Sequence, residues 1–238
     1  TEMMRVLEEK YSYPVDIEYA CNFDQDGNYR VNLLQCRPLQ TRGVGAAGVM
    51  PNVKEFYFRT SGNFMGGNVC LPIRYAVMVQ VEPYLDLPEQ RKYQVARKLG
   101  ELNNRLRGEG TILLGPGRWG TTTPSLGVPV HFMEINRFEC IAELAYSSHG
   151  LRPELSYGSH FFQDLVEAGA FYVALYPGED GCVFQDTLFA DCENVYAQLM
   201  PSDAEDVMAD VIRVYDLGKD QAILYSEVGS QACFLAKV

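Results

Sequence analysis

Two runs, VDIEYACNF at 15–23 and YRVNLLQCR at 29–37, flank the pentapeptide DQDGN, and this arrangement constrains the fold more than any other stretch. Asp-Gly between two runs of strand-forming residues predicts a hairpin, because the glycine reaches the backbone conformations that a tight turn requires. Residues 1–11 read as a helix, with Met4, Leu7 and Tyr11 at helical spacing, and Pro14 ends it. Pro38 and TRGVGAAG interrupt the unit, and the small residues over 41–50 suit a linker. The expected division is therefore 1–42 followed by a second domain over 50–238.

In the second domain, the stretch 53–87 reads as strands, the clearest being the long apolar run IRYAVMVQVEPY. A helix is predicted from about Pro88 to Arg107. Tyr93, Ala96, Leu99, Leu102, Asn103 and Leu106 trace one face of it, and Gly108 supplies the stop. TILLG reads as a buried strand entering GPGRWG, after which TTTPSLGVPVHF is a proline-bearing loop. CIAELAY and FYVALY read as strands separated by a short helix, SHFFQDLVEAG, with Ser159 as its cap. VIRVYDL and AILYSEV add short strands near an acidic stretch, SDAEDVMAD. The elements interleave without a regular βαβ rhythm, so the expected class is α+β, with mixed and antiparallel sheets and a few helices.

The net charge of −11 over 238 residues argues against a nucleic-acid or anionic-membrane partner, since both are polyanions. A local positive patch for a nucleotide is still compatible with it. Seven scattered cysteines without a CxxC pair support neither a zinc ribbon nor a thioredoxin-like site, and suit buried thiols in a reducing cytoplasm. No signal peptide and no membrane-length apolar run are evident. The opening TEMMRVLEEKY lacks an initiating methionine and reads as the last turns of a longer helix, so the expectation is a piece of a larger protein.

The hairpin carries the first functional constellation. Asp16 and Glu18 are two apart on one strand and share a face, as do Gln35 and Arg37 on the other. A tight hairpin brings the pairs side by side. A carboxylate can hold magnesium, while a guanidinium neutralises phosphate oxygens bidentately, the charge compensation on which phosphoryl transfer depends. From the residues alone, a plain surface ion pair between Arg37 and Glu18 is the competing reading.

VDIEYA followed by VNLLQCRPLQTR resembles the end of the ATP-grasp domain of phosphoenolpyruvate synthases and pyruvate phosphate dikinases. The pattern there is D-I/M-E-W/F-A, a variable turn, then L-Q-x-R-P. DIEYA and LLQCRP occur here in that order, with Tyr19 in place of Trp or Phe. The resemblance covers about residues 10–42. It implies that Glu18 contacts magnesium or the nucleotide phosphates, that Gln35 and Arg37 line the phosphate site, and that ATP and Mg2+ are the cofactors, with pyruvate or a similar small acceptor as partner. In that family the nucleotide-clamping lysine and arginine lie upstream of this hairpin, and none of His131, His149 or His160 stands in the T-x-H-A pattern of the phosphate-carrying histidine. The chain by itself is expected not to catalyse the family reaction.

The second constellation lies in 115–163. Gly115-Pro-Gly-Arg-Trp-Gly120 matches G-x-G-x-x-G after a strand, but Pro124 and Pro129 bar the helix that a dinucleotide site needs, and no Lys-Ser/Thr follows for a Walker loop. Arg118 and glycine N–H groups could bind an anion and Trp119 could stack on a ring; equally, the segment could be a tight turn with Trp119 filling the core. His160, near a helix start with Gln163 one turn on, is the other catalytic candidate beside Arg118, with a merely hydrogen-bonded histidine as the alternative. GPGRWG-x-x-x-P-x-L-G-V-P-V and GSHFFQDL are similar to blocks downstream of the ATP-grasp hairpin in some synthase/dikinase-like bacterial proteins, commonly GPGRWGSSDPWLGIPV and GTHFFQNL. That likeness assigns no chemistry. Three functional readings stay open: part of an ATP-dependent phosphotransferase, a non-catalytic metabolite-sensing domain, or an acidic domain for self-association of a larger enzyme.

Overall fold

The protein is described from a computed structural model covering residues 2–11, 15–38, 49–146, 155–156, 161, 165, 168–203, 206–218 and 221–238. It is α+β, and the chain divides into two compact units, Thr1–Thr41 and Arg42–Val238. Among the described residues no helix is long and apolar enough to cross a membrane.

The first unit comprises α1 (Glu2–Tyr11), β1 (Val15–Phe23) and β2 (Tyr29–Pro38), with β1 and β2 antiparallel. The turn is held by Asp24. One of its carboxylate oxygens accepts the N–H groups of Asp26 (3.0 Å) and Asn28 (2.9 Å), and the other accepts from the Asn28 amide (3.0 Å). Gly27 takes φ +83°, the left-handed conformation expected of the Asp-Gly step. Glu18 pairs with Gln35 while Tyr19 pairs with Leu33, so Leu34 is an extra, bulged residue.

The second unit is built from β3 (Glu55–Ser61), β4 (Phe64–Met65), β5 (Val69–Pro72), β6 (Tyr75–Val79), α2 (Val81–Leu85), α3 (Glu89–Arg105), β7 (Thr111–Pro116), β8 (Arg118–Trp119), β9 (Gly127–Val128) and β10 (Cys140–Leu144). It continues with β11 (Phe171–Leu175), β12 (Val183–Phe184), β13 (Glu193–Asn194), β14 (Ile212–Asp216), β15 (Ile223–Glu227) and β16 (Ala232–Lys237). Short helical turns lie between β12 and β14. One sheet has seven strands in the order β13-β14-β6-β7-β10-β11-β4, and a second has five in the order β12-β3-β16-β15-β5. In the first, β6, β7, β10 and β11 are consecutive and mutually parallel, with antiparallel strands at both margins. The second is antiparallel throughout.

Alternate residues of the parallel strands enter two cores. Val77, Val79, Leu113, Ile141, Tyr172 and Ala174 pack toward α3, whereas Ala76, Met78, Ile112, Leu114, Ala142 and Val173 pack toward Phe58, Leu224 and Leu235 of the second sheet. The seven-stranded sheet is thus the middle layer, which explains why its central strands are almost unbroken apolar runs. On α3 the buried stripe is Val95, Ala96, Leu99, Leu102 and Asn103. Val95, Leu99 and Leu102 each contribute roughly 1.5–3 kcal/mol by leaving water.

Three local expectations change. The run IRYAVMVQVEPY is not one strand: β6 stops at Val79 and α2 begins at Val81. Gln80 makes the break, because its N–H goes to the Val211 carbonyl while its own carbonyl accepts the Tyr84 N–H. Pro83, lacking an N–H, fits the first helical turn. Tyr93 is 41% exposed, and Lys92 and Val95 take its place on the buried face. The strand–helix–strand unit β6-α3-β7 is a parallel crossover, a rhythm that the sequence reading did not find.

Candidate functional site

The hairpin register decides which of its residues meet. Glu18 lies opposite Gln35, and Asp16 opposite Arg37. Residues opposite one another in an antiparallel pair share a face. All four predicted positions therefore fall on one face, with Ala20, Asn22, Arg30 and Asn32 continuing it toward the turn. Glu18 is half-buried and Gln35 is exposed. The opposite face holds Ile17, Tyr19, Cys21, Phe23, Tyr29, Val31 and Leu33. Much of it is open, with Phe23 72% and Tyr29 70% exposed.

An acid opposite an amide, beside an acid opposite a guanidinium position, is a set chemically suited to part of a magnesium-nucleotide site. Mg2+ in nucleotide sites is held by one or two carboxylates together with phosphate oxygens and water, and does not require an all-protein cage. The register supplies that number of acids, with an amide and a guanidinium position across the strand pair. Among the described residues no group of three or more His, Cys, Asp or Glu side chains converges on a metal position.

In the second unit, the segment after β7 is a folded turn whose main-chain donors are all used within the chain. Gly117 N–H donates to Leu144 O (2.9 Å), Arg118 to Leu126 O (3.0 Å), Trp119 to Glu143 Oε1 (2.9 Å) and Gly120 to Val128 O (3.0 Å). These four N–H groups do not form an open anion cradle. Trp119 is 1% exposed, and its Nε1–H donates to Ala142 O at 3.1 Å. It fills the core, so the stacking role considered for it does not hold. The glycines serve this packing. A β-carbon at Gly115 would lie 2.5 Å from the Trp119 ring, and one at Gly120 would lie 2.3 Å from the Phe161 ring. Gly120 also has φ +74°. Arg118 is half-buried and its interactions are already partly satisfied within the protein. His160 and Gln163 lie outside the described residues.

The residue that sequence reasoning missed is Glu143, on β10. It is fully buried, yet both of its carboxylate oxygens are satisfied. Oε1 accepts from Trp119 N–H (2.9 Å) and from Ser156 Oγ; Oε2 accepts from Ser156 N–H (2.7 Å) and from Tyr172 OH (2.8 Å). Burial pushes its pKa upward, and the hydrogen bonds from Ser156, Trp119 and Tyr172 oppose that shift. The readable clue was a lone acid inside the apolar strand CIAEL, a composition that central parallel strands do not favour without a partner network.

The amino-terminal ends of β6, β7 and β10 border an open groove of about 700 Å3 whose lining includes Arg74, Glu109, Glu139 and Gln221. Arg74 is paired with Glu109 at 3.0 Å, and Glu139 accepts the Thr111 N–H at 2.6 Å. The glycine turn and Glu143 sit at the other, carboxyl ends of the same strands.

No protein-family model, curated protein or solved structure matches this chain.

Proposed function

We propose that residues 1–41 furnish part of the magnesium-nucleotide phosphate site of an ATP-dependent phosphotransferase of the phosphoenolpyruvate synthase/pyruvate phosphate dikinase type, acting in the cytoplasm on pyruvate or a similar small acceptor. The observation that carries this reading is the hairpin register, which pairs Glu18 with Gln35 and Asp16 with Arg37 on one polar face. Glu18 is the metal-side ligand, Gln35 a donor to phosphate oxygens, and Arg37 the fixed cation. Bound magnesium would neutralise phosphate charge, while these side chains orient the triphosphate against it. The largely open opposite face, with Phe23 and Tyr29 exposed, supports the view that the hairpin acts within a larger assembly. The chain itself is read as non-catalytic.

The test is Mg-ATP binding by the intact protein, measured by titration calorimetry, with Glu18→Ala and Arg37→Ala. At least tenfold weaker binding in each variant is expected, equivalent to about 1.4 kcal/mol or more. Unchanged affinity removes the reading. The alternative, a non-catalytic domain sensing an anionic metabolite through Arg118 and His160, loses the support of main-chain donors at 117–120, all of which are already bonded within the chain.

A further inference from the structure

We infer that the glycine turn at 117–120 forms one cooperative unit with Ser156 and Phe161, clamped by Glu143, so that loosening the turn loosens both residues and the reverse.

Two contacts carry this inference. The first is the carboxylate: Trp119 N–H and Ser156 N–H, more than thirty residues apart in the chain, enter opposite oxygens of the same buried side chain. Tyr172 OH and Ser156 Oγ complete the set, so each oxygen takes one main-chain donor and one hydroxyl. The second contact lies apart from the first. The Phe161 ring occupies the space that a side chain at Gly120 would need. The turn is thus tied to Ser156 by polar bonds through Glu143, and to Phe161 by packing.

The chemistry of the clamp is specific to a carboxyl group. A glutamine at 143 keeps the shape but presents one NH2, which has no acceptor capacity. Whichever way that amide turns, its nitrogen meets a main-chain N–H, from Trp119 or from Ser156. A buried donor left without an acceptor carries the full desolvation penalty. Opening at one oxygen also removes a restraint on the group serving the other, which is why the two segments share an opening event. By reciprocity, a ligand that orders one segment also orders the other.

Residue-resolved hydrogen exchange of the whole chain by NMR tests this. In the wild type, the amides of Trp119, Gly120 and Ser156 are expected to share one opening free energy and one denaturant slope. Gly120→Ala, which touches Phe161 but not Ser156, is expected to speed Ser156 exchange at least tenfold while leaving the Leu224 and Leu235 amides of the second sheet unchanged. Phe161→Ala removes the same contact without a clash and is expected to act in the same direction, so the test stands if Gly120→Ala does not fold. Glu143→Gln is expected to accelerate Trp119 and Ser156 together. Wild-type exchange at Ser156 in Gly120→Ala or in Phe161→Ala overturns the inference, as does acceleration of Trp119 alone in Glu143→Gln.

Discussion

The indole of Trp119 occupies the volume that a side chain on Gly115 would fill, its ring atoms lying 2.5 Å from where that β-carbon would be. A neighbour on the adjacent strand, Val79, stands 3.4 Å from the same point, so the space is closed on two sides. Gly115→Ala is therefore expected to cost roughly 1–3 kcal/mol through overpacking. Urea unfolding followed by the emission of Trp119, the chain's single tryptophan, measures it; a midpoint equal to wild type contradicts the packing described.

Glu143 gives a pH prediction with a definite sign. Burial raises its carboxyl above the ordinary glutamate range. The native state then keeps this proton to higher pH than the unfolded chain does, so stability falls as pH rises from the ordinary glutamate value, about 4.3, through the raised folded value. Below that window the group's contribution is complete. Glu143→Gln lacks the titration, so the stability gap between wild type and variant should shrink across the window as pH increases. A gap independent of pH, measured by denaturant titration from pH 4 to 8, contradicts the assignment.

The cysteines separate by burial. Cys21 and Cys70 are exposed, Cys36, Cys182 and Cys192 are half-buried, and Cys140 and Cys233 are buried. Burial also pushes the Cys140 and Cys233 thiols well up in pKa, which depletes the reactive thiolate. A thiol reagent followed by peptide mapping should modify Cys21 and Cys70 first, and Cys140 and Cys233 only on unfolding. Early modification of Cys140 contradicts the core described.

The open face of the hairpin should bind an apolar dye. Phe23 and Tyr29 are a cross-strand pair with ring centroids 6.3 Å apart. Replacing both by Ser is expected to lower dye fluorescence clearly, while costing no more than about 1 kcal/mol, the upper value for a cross-strand aromatic pair. Undiminished dye binding contradicts the exposure of this face.

Local chemistry made the hairpin and α3 legible. Asp24 and Gly27 fix a turn within five residues, and the 3.6-residue spacing of Leu99, Leu102 and Leu106 marks the buried side of a helix without reference to the rest of the chain. Sheet order was not legible, since β3 pairs with β16, and β4 with β11, across most of the unit. The role of Trp119 was undecidable for a related reason. An aromatic beside a glycine turn faces either a ligand or the core, and what decides here is the hole at Gly115 together with the Ala142 carbonyl on the neighbouring strand. Glu143 was the readable exception, since an acid amid Cys, Ile, Ala and Leu demands partners even though the sequence does not name them.

β16 sits between β15 and β3 in the five-stranded sheet, and β3 is met near the beginning of the second unit. A nascent chain emerging from the ribosome must therefore carry β3, with Tyr57 and Phe58, unpaired until β12 at Val183–Phe184 is made, and without β16 until nearly the entire unit has been synthesised. The middle sheet, whose parallel strands pair in the order they are made, can assemble during that delay and give those aromatics a surface to rest on. Synthesis in the natural direction thus builds the shelter before the strand that seals it arrives.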